Sequence, residues 1–318
     1  MIPLEEVAPD AVALIAAFRE SGGSAFGTLP VEESRANYRA SCERNGLPPA
    51  SVAEVVDLRS PTADGGSIAL RHYHADLSQP KSAAIVFIHG GGWALGDLET
   101  HDRICRSLST STCLPVIAID YRLAPEHPYP VPLNDCRSAL EYVRDNAVSL
   151  GIDPTRLVLV GDSAGGGIVA VLANDPSMAV VGTRIIGQVL LYPVTDLASE
   201  SESYQRLDEG FPLTAGSMRW FADLYLESGF DRADPRVSPL RLAHLVPSPP
   251  RAFLISLGLD PLGDEGIAYA AHLARHGATV EHHHLPHHAH GIFTSAGKIE
   301  TGRLMLQRAA DFIVGGLE

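Results

Sequence analysis

The chain is poor in cysteine, in positive charge and in long apolar runs. Its four cysteines, Cys42, Cys105, Cys113 and Cys136, form no C-x-x-C pair and lie in or beside apolar stretches. That spacing argues against a disulfide framework and predicts four reduced, buried small side chains of the kind a cytoplasmic protein carries. Lysine and arginine number 24 against 38 aspartates and glutamates, a formal charge of −14. With no basic cluster to offset that balance, nucleic acid and anionic membrane surfaces are disfavoured as partners. No apolar run approaches the ~20 residues that a membrane-spanning helix needs. The opening "MIPLEEVAPD" carries acids where a secretory leader carries bases, so the expected location is cytoplasmic.

What is present reads as ordered and globular. Hydrophobic residues make up 45% of the 318 and charged residues 19%, enough to bury a large core. No internal repeat and no low-complexity linker divides the chain, so residues 1–318 are read as a single domain. Strand patterns fall at 52–58 and 67–74, joined by the turn "ADGG", and then at 83–89, 114–120, 156–162, 184–192, 251–258 and 278–285. The middle runs are nearly continuous in β-branched and apolar residues, as in strands buried on both faces of a parallel sheet. Helical spacing appears at 11–18, at 301–314 and between 133 and 150, where Gly151 suits the position after the cap. Strand–helix alternation of this kind predicts an α/β fold with a mostly parallel, eight-stranded sheet led by an antiparallel pair. About 60 residues separate the strands at 184–192 and 251–258, too many for a simple crossover. Part of that stretch, about 197–230, is read as an insertion that forms a helical cap with about residues 1–45.

The sequence "LVLVGDSAGGGIVAVLA" (157–173) runs an apolar strand into Gly161-Asp162-Ser163-Ala164-Gly165 and straight on into a helix. G-x-S-x-G in that context presents a serine Oγ at the top of a sheet, and side chains at Gly161 and Gly165 would collide with the neighbouring elements. A serine nucleophile needs a base and donors for the oxyanion formed on attack. "FIHGGGWALGD" (87–97) follows the third strand, and its glycines let backbone N–H groups turn inward. Gly91 and Gly92 are the expected oxyanion donors, with Ala164 as the third. His89 is read as ordering this loop and Trp93 as packing or a pocket wall. Downstream, Asp260 leaves an apolar strand in "SLGLDPLGDEG" (256–266), with Asp264 as the rival acid further into the next helix. His282, His283, His284, His287, His288 and His290 crowd together, and His290 is preferred because it precedes Gly291 in a loop after a strand. Neither H-E-x-x-H nor a Cys/His set supports a metal among them. The order Ser163, Asp260, His290 brings each residue off the carboxyl end of a strand onto one edge of the sheet. Asp260 would orient the imidazole, and His290 would take the serine proton.

Together, "HGGGW" (89–93), "DYRLAPEHPYP" (120–130), "GDSAGGG" (161–167), "LLYPVTD" (190–196), "DPRVSPL" (234–240), "DPLGDEG" (260–266) and "HGIF" (290–293) resemble the hormone-sensitive-lipase-like family of α/β-hydrolase carboxylesterases. The resemblance implies the α/β-hydrolase fold, the same triad and oxyanion donors, a cap, and hydrolysis of short- to medium-chain carboxylic esters through an acyl-enzyme. It implies no metal and no organic cofactor, a small-molecule ester as partner, and a homodimer. "GDSAG" rather than "GTSAG" points to one of two subgroups, while Gly167 departs from the family's usual asparagine. Tyr121, Arg122 and Glu126 are read as structural. Two alternatives stay open: another acyl hydrolase (amidase, lactonase or carbamate-cleaving), or a non-catalytic ligand-binding receptor on the same scaffold.

Overall fold

In the computed structural model, which describes residues 1–23, 25–74 and 82–317, the apolar runs are strands and the periodic segments between them are helices. The strands are β1 (Glu54–Pro61), β2 (Ser67–His74), β3 (Ser82–Ile88), β4 (Val116–Asp120), β5 (Ile152–Asp162), β6 (Ile185–Leu191), β7 (Arg251–Leu259) and β8 (Val280–Ala289). They form one sheet in the order β1-β2-β4-β3-β5-β6-β7-β8. The β1–β2 and β2–β4 pairs are antiparallel and the rest parallel. The helices are α1 (Val12–Glu20), α2 (Val31–Asn45), α3 (Leu98–Thr112), α4 (Val131–Asp145), α5 (Ser163–Asn174), α6 (Glu202–Arg206), α7 (Ala215–Tyr225), α8 (Gly263–Arg275) and α9 (Glu300–Gly315).

Burial on both faces follows from composition. Ile85, Val86, Phe87 and Ile88 of β3 are all buried, alternating between a core cluster on one face and a second on the other. Each such side chain contributes about 1.5–3 kcal/mol relative to exposure. Helix α5 is buried along its whole length and packs on β5 and β6.

Three expectations need correction. Helix α4 ends at Asp145, and residues 147–151 are turns, so Gly151 (φ +66°) belongs to a turn leading into β5 rather than to a helix cap. β5 accordingly starts at Ile152 and β8 runs on to Ala289, extended by pairing with β3 and β7 that apolar patterning does not register. Cys113 is exposed, in the left-handed position that closes α3, whereas Cys42, Cys105 and Cys136 are buried; all four are free. No helix among the described residues is long and apolar enough to cross a membrane.

Candidate active site

Parallel registration sets the carboxyl ends of the central strands close to one level. Ile88 pairs with Gly161, Asp162 with Leu191, and Leu259 with Ala289. The residues that follow β5, β7 and β8 are Ser163, Asp260 and His290, so the sheet delivers all three to one rim.

They meet there. His290 Nδ1 lies 2.6 Å from Asp260 Oδ2, and His290 Nε2 lies 3.0 Å from Ser163 Oγ. A carboxylate accepts only, so Nδ1 carries the hydrogen and Nε2 is left to accept from the serine hydroxyl. Asp260 is fully buried, and its Oδ1 accepts the Leu262 N–H at 3.0 Å. Asp264 does not join this line; its carboxylate accepts the Ser203 N–H at 2.8 Å. Of the other histidines, His282 and His284 share the Ser256 hydroxyl, while His288 pairs with Asp10.

Ser163 adopts φ +53°, a left-handed conformation that lifts it out of the strand direction at the first residue of α5. The turn is possible because its flanks are glycines. A Cβ on Gly165 would lie 2.1 Å from the Ile88 carbonyl oxygen, and one on Gly161 would lie 2.6 Å from Gly165. Opposite, Gly91 and Gly92 take φ +116° and +59°. Among the described residues no acceptor is found for their N–H groups. Ala164 lies in the first turn of α5, where N–H groups have no partner within the helix. His89 orders the loop as expected: its Nδ1 donates to the Gly90 carbonyl at 2.8 Å, and its ring stacks on Tyr121 at 4.3 Å. Trp93 stacks on Tyr225 of α7 at 4.3 Å.

A cavity of about 290 Å³ opens over Ser163 and His290. Its walls include Phe18, Phe26 and Tyr38 from the first 45 residues and Leu213 and Phe221 from the insertion. The Phe26 ring lies 6.0 Å from Tyr38 and 5.6 Å from Phe221, joining the two segments across the site. A larger open cleft of about 780 Å³ lies to one side, over Arg35, Asp120 and Arg122. It holds none of the three convergent residues, and Arg35 and Arg122 are already paired with Glu126 and Asp135. Tyr121, Arg122 and Glu126 therefore act as fasteners, with the Tyr121 hydroxyl donating to the His89 carbonyl at 2.8 Å.

Among the buried carboxyls that escaped the sequence reading, two lie close to the site. Glu265 Oε1 accepts the Thr195 N–H at 2.6 Å and the Asp196 N–H at 3.2 Å, and burial pushes its pKa up to about 8. Asp162, beside the serine, accepts the Gly90 N–H at 2.8 Å. The motif spelled its position but gave no sign of its partners.

The alpha/beta hydrolase fold family matches residues 85–294, from β3 to just past His290. The chain belongs to that family. Its relatives include an ethyl acetate hydrolase of Pseudomonas putida, 35% identical over 88% of this chain and 90% of that one. The carboxylic ester hydrolase LipN of Mycobacterium tuberculosis is 41% identical over 81% of this chain and 69% of its own. Among solved structures, an alpha/beta hydrolase enzyme from the metagenome of Lake Arreo superposes with a TM-score of 0.89 at 34% identity, covering 98% of both chains.

Proposed function

We propose that this carboxylic ester hydrolase cleaves short- to medium-chain esters through a serine acyl-enzyme. The observation that carries the reading is the His290 imidazole, bonded to Asp260 on one side and Ser163 on the other at 2.6 and 3.0 Å. Ser163 Oγ attacks the ester carbonyl carbon while its proton passes to His290 Nε2. The oxyanion is received by the N–H groups of Gly91, Gly92 and Ala164, at the N-terminus of α5, where the helix dipole also favours negative charge. His290 returns the proton to the departing alkoxide, and the alcohol leaves. Water, deprotonated by the same imidazole, then attacks the acyl-enzyme, releasing the acid and restoring Ser163. No step requires a metal or an organic cofactor.

The substrate range follows from the cavity. Its 290 Å³ is roughly ten water-sized volumes at about 30 Å³ each. Its walls are mainly aromatic and aliphatic, with uncharged polar groups at Asn37, Ser41, Thr294 and Ser295, and the charged groups at its floor, Asp162 and His290, are both engaged within the protein. Small, uncharged esters fit that description. On this reading, about residues 1–45 and 197–230 serve as the cap that supplies those walls to a single catalytic domain, and the GDSAG sequence favours the corresponding subgroup of hormone-sensitive-lipase-like esterases.

The test is Ser163→Ala, assayed on p-nitrophenyl esters from acetate to decanoate, with an anilide and a lactone alongside. Turnover of the short esters should fall by roughly 10⁴-fold or more with the fold intact. Residual hydrolysis near the parent rate would remove Ser163 as nucleophile, and faster cleavage of the anilide or lactone would replace the ester as substrate.

A further inference from the structure

Asp162 has no step in the acyl-enzyme chemistry, yet it is 2% exposed and lies next to the reacting serine. Its Oδ1 accepts the Gly90 N–H at 2.8 Å. His101 Nε2 lies 3.2 Å from both carboxylate oxygens and so carries a hydrogen toward them. His101 is itself 1% exposed, in the first turn of α3, and its Nδ1 meets Thr100 Oγ1 at 2.9 Å. Thr100 closes a capping box with Asp97, and Asp97 pairs with Arg39 of α2. One connected line of contacts therefore runs from α2 through α3 to the serine turn and on to the glycine loop.

Gly90 immediately precedes the two expected oxyanion donors. Its backbone sits so close to Asp162 that a Cβ there would lie 2.4 Å from Oδ2. Three successive glycines have little conformational preference of their own. Oxyanion donors work because they are set before the charge arrives, and a misplacement of about 1 Å costs about 100-fold. The distance between Ser163 and the Gly91–Gly92 amides is thus fixed through the side chain between them.

The carboxylate also brings a negative charge close to where negative charge must form. Burial works against its ionised form, but the charge and hydrogen bond of His101, together with the Gly90 N–H, outweigh burial and hold it below the usual range. The other titratable groups around it are His89, Tyr38 and Cys42 of α2, Cys105 of α3, Tyr121 and Tyr192. Burial pushes His89 down to about 4 and the Cys42 thiol up to about 12, and it raises the other four well above their ordinary values. His101 is the partner able to offset the carboxylate.

We propose that Asp162 and His101 are a positioning pair for ester hydrolysis: the carboxylate sets the oxyanion loop against Ser163, and the imidazole anchors that carboxylate and offsets its charge. This rests on the acyl-enzyme reading. The experiment measures kcat and KM for p-nitrophenyl acetate in His101→Gln, Asp162→Asn and the double variant, per active site titrated with a p-nitrophenyl alkylphosphonate. His101→Gln should lose about tenfold or more in kcat with KM within about threefold, since the oxyanion donors act in the transition state. Asp162→Asn keeps an acceptor for Gly90 but a weaker, neutral one, and should lose roughly three- to tenfold. The double variant, with no uncompensated charge, should recover to about the level of Asp162→Asn. A purely structural role would lower the titratable fraction rather than kcat and would leave the double variant worse than either single one. Unchanged kcat in His101→Gln, or a double variant below His101→Gln, overturns the proposal. If His101→Gln does not fold, unchanged kcat in Asp162→Asn does so alone. Turnover persisting in Ser163→Ala in the same assay would instead overturn the acyl-enzyme reading.

Discussion

Glu265 shows how one buried carboxyl ties stability to pH. It is 4% exposed, and its Oε2 has no partner among the described residues. Burial raises its pKa from 4.5 to about 8, so between those values the folded protein keeps a proton that the unfolded chain has released. The stability it contributes is complete below pH 4.5 and is lost as pH rises through about 8. Glu265→Gln keeps an acceptor for the Thr195 and Asp196 N–H groups and does not titrate. Melting curves between pH 5 and 8.5 should show the parent losing stability relative to the variant as pH rises, by a difference on the order of a few degrees. Parallel curves would mean that Glu265 is already ionised at neutral pH.

Between elements, one of the tightest fits in the site is Gly92 against Phe221 of α7. A Cβ on Gly92 would sit 2.1 Å from the Phe221 ring, and the residue holds φ +59°. Gly92→Ala should lower kcat by about 10²-fold through displacement of one proposed oxyanion donor, while circular dichroism stays that of the parent. Full activity in that variant would show that the loop can move without consequence. The central strands and α5 were legible in the sequence because their burial is apolar and nearly continuous. Ser163 and Asp260 were legible because each follows such a strand, whereas His290 follows the polar strand β8 and was legible from its place before Gly291 in the loop after it. Helices α2 and α3 were not legible. Of the residues of α2 only Ser34 and Cys42 are buried, and it is held by Arg35 on Glu126 and on the Ala94 and Ala124 carbonyls. The buried face of α3 includes Thr100, His101, Ser109 and Thr112, so hydrophobic periodicity understates it. Asp162 and Glu265 were illegible for the same reason: their partners are backbone amides and a histidine distant in sequence.

Taken as a whole, the molecule carries a formal charge of −14 and a small apolar cavity over its candidate nucleophile. An ester bearing a free carboxylate meets both an unfavourable field and a wall without cations. The monoester of a dicarboxylic acid should therefore show kcat/KM at least about tenfold below that of its neutral methyl-ended counterpart. Raising salt to about 0.5 M should narrow the gap in part, by screening the field but not the wall. Equal rates at low salt would place a cation in the pocket where none is seen among its lining residues.

The spread of the site along the chain also bears on its synthesis. His290 lies 127 residues after Ser163, and the end of β8 that leads to it is fastened near the start of the chain, where His288 pairs with Asp10. At about 5–20 residues per second, a ribosome exposes the serine roughly 6–25 s before the base has been made. On the proposed mechanism, the nascent polypeptide holds Ser163 without its candidate base throughout that interval, so ester cleavage waits for the C-terminal part of the chain.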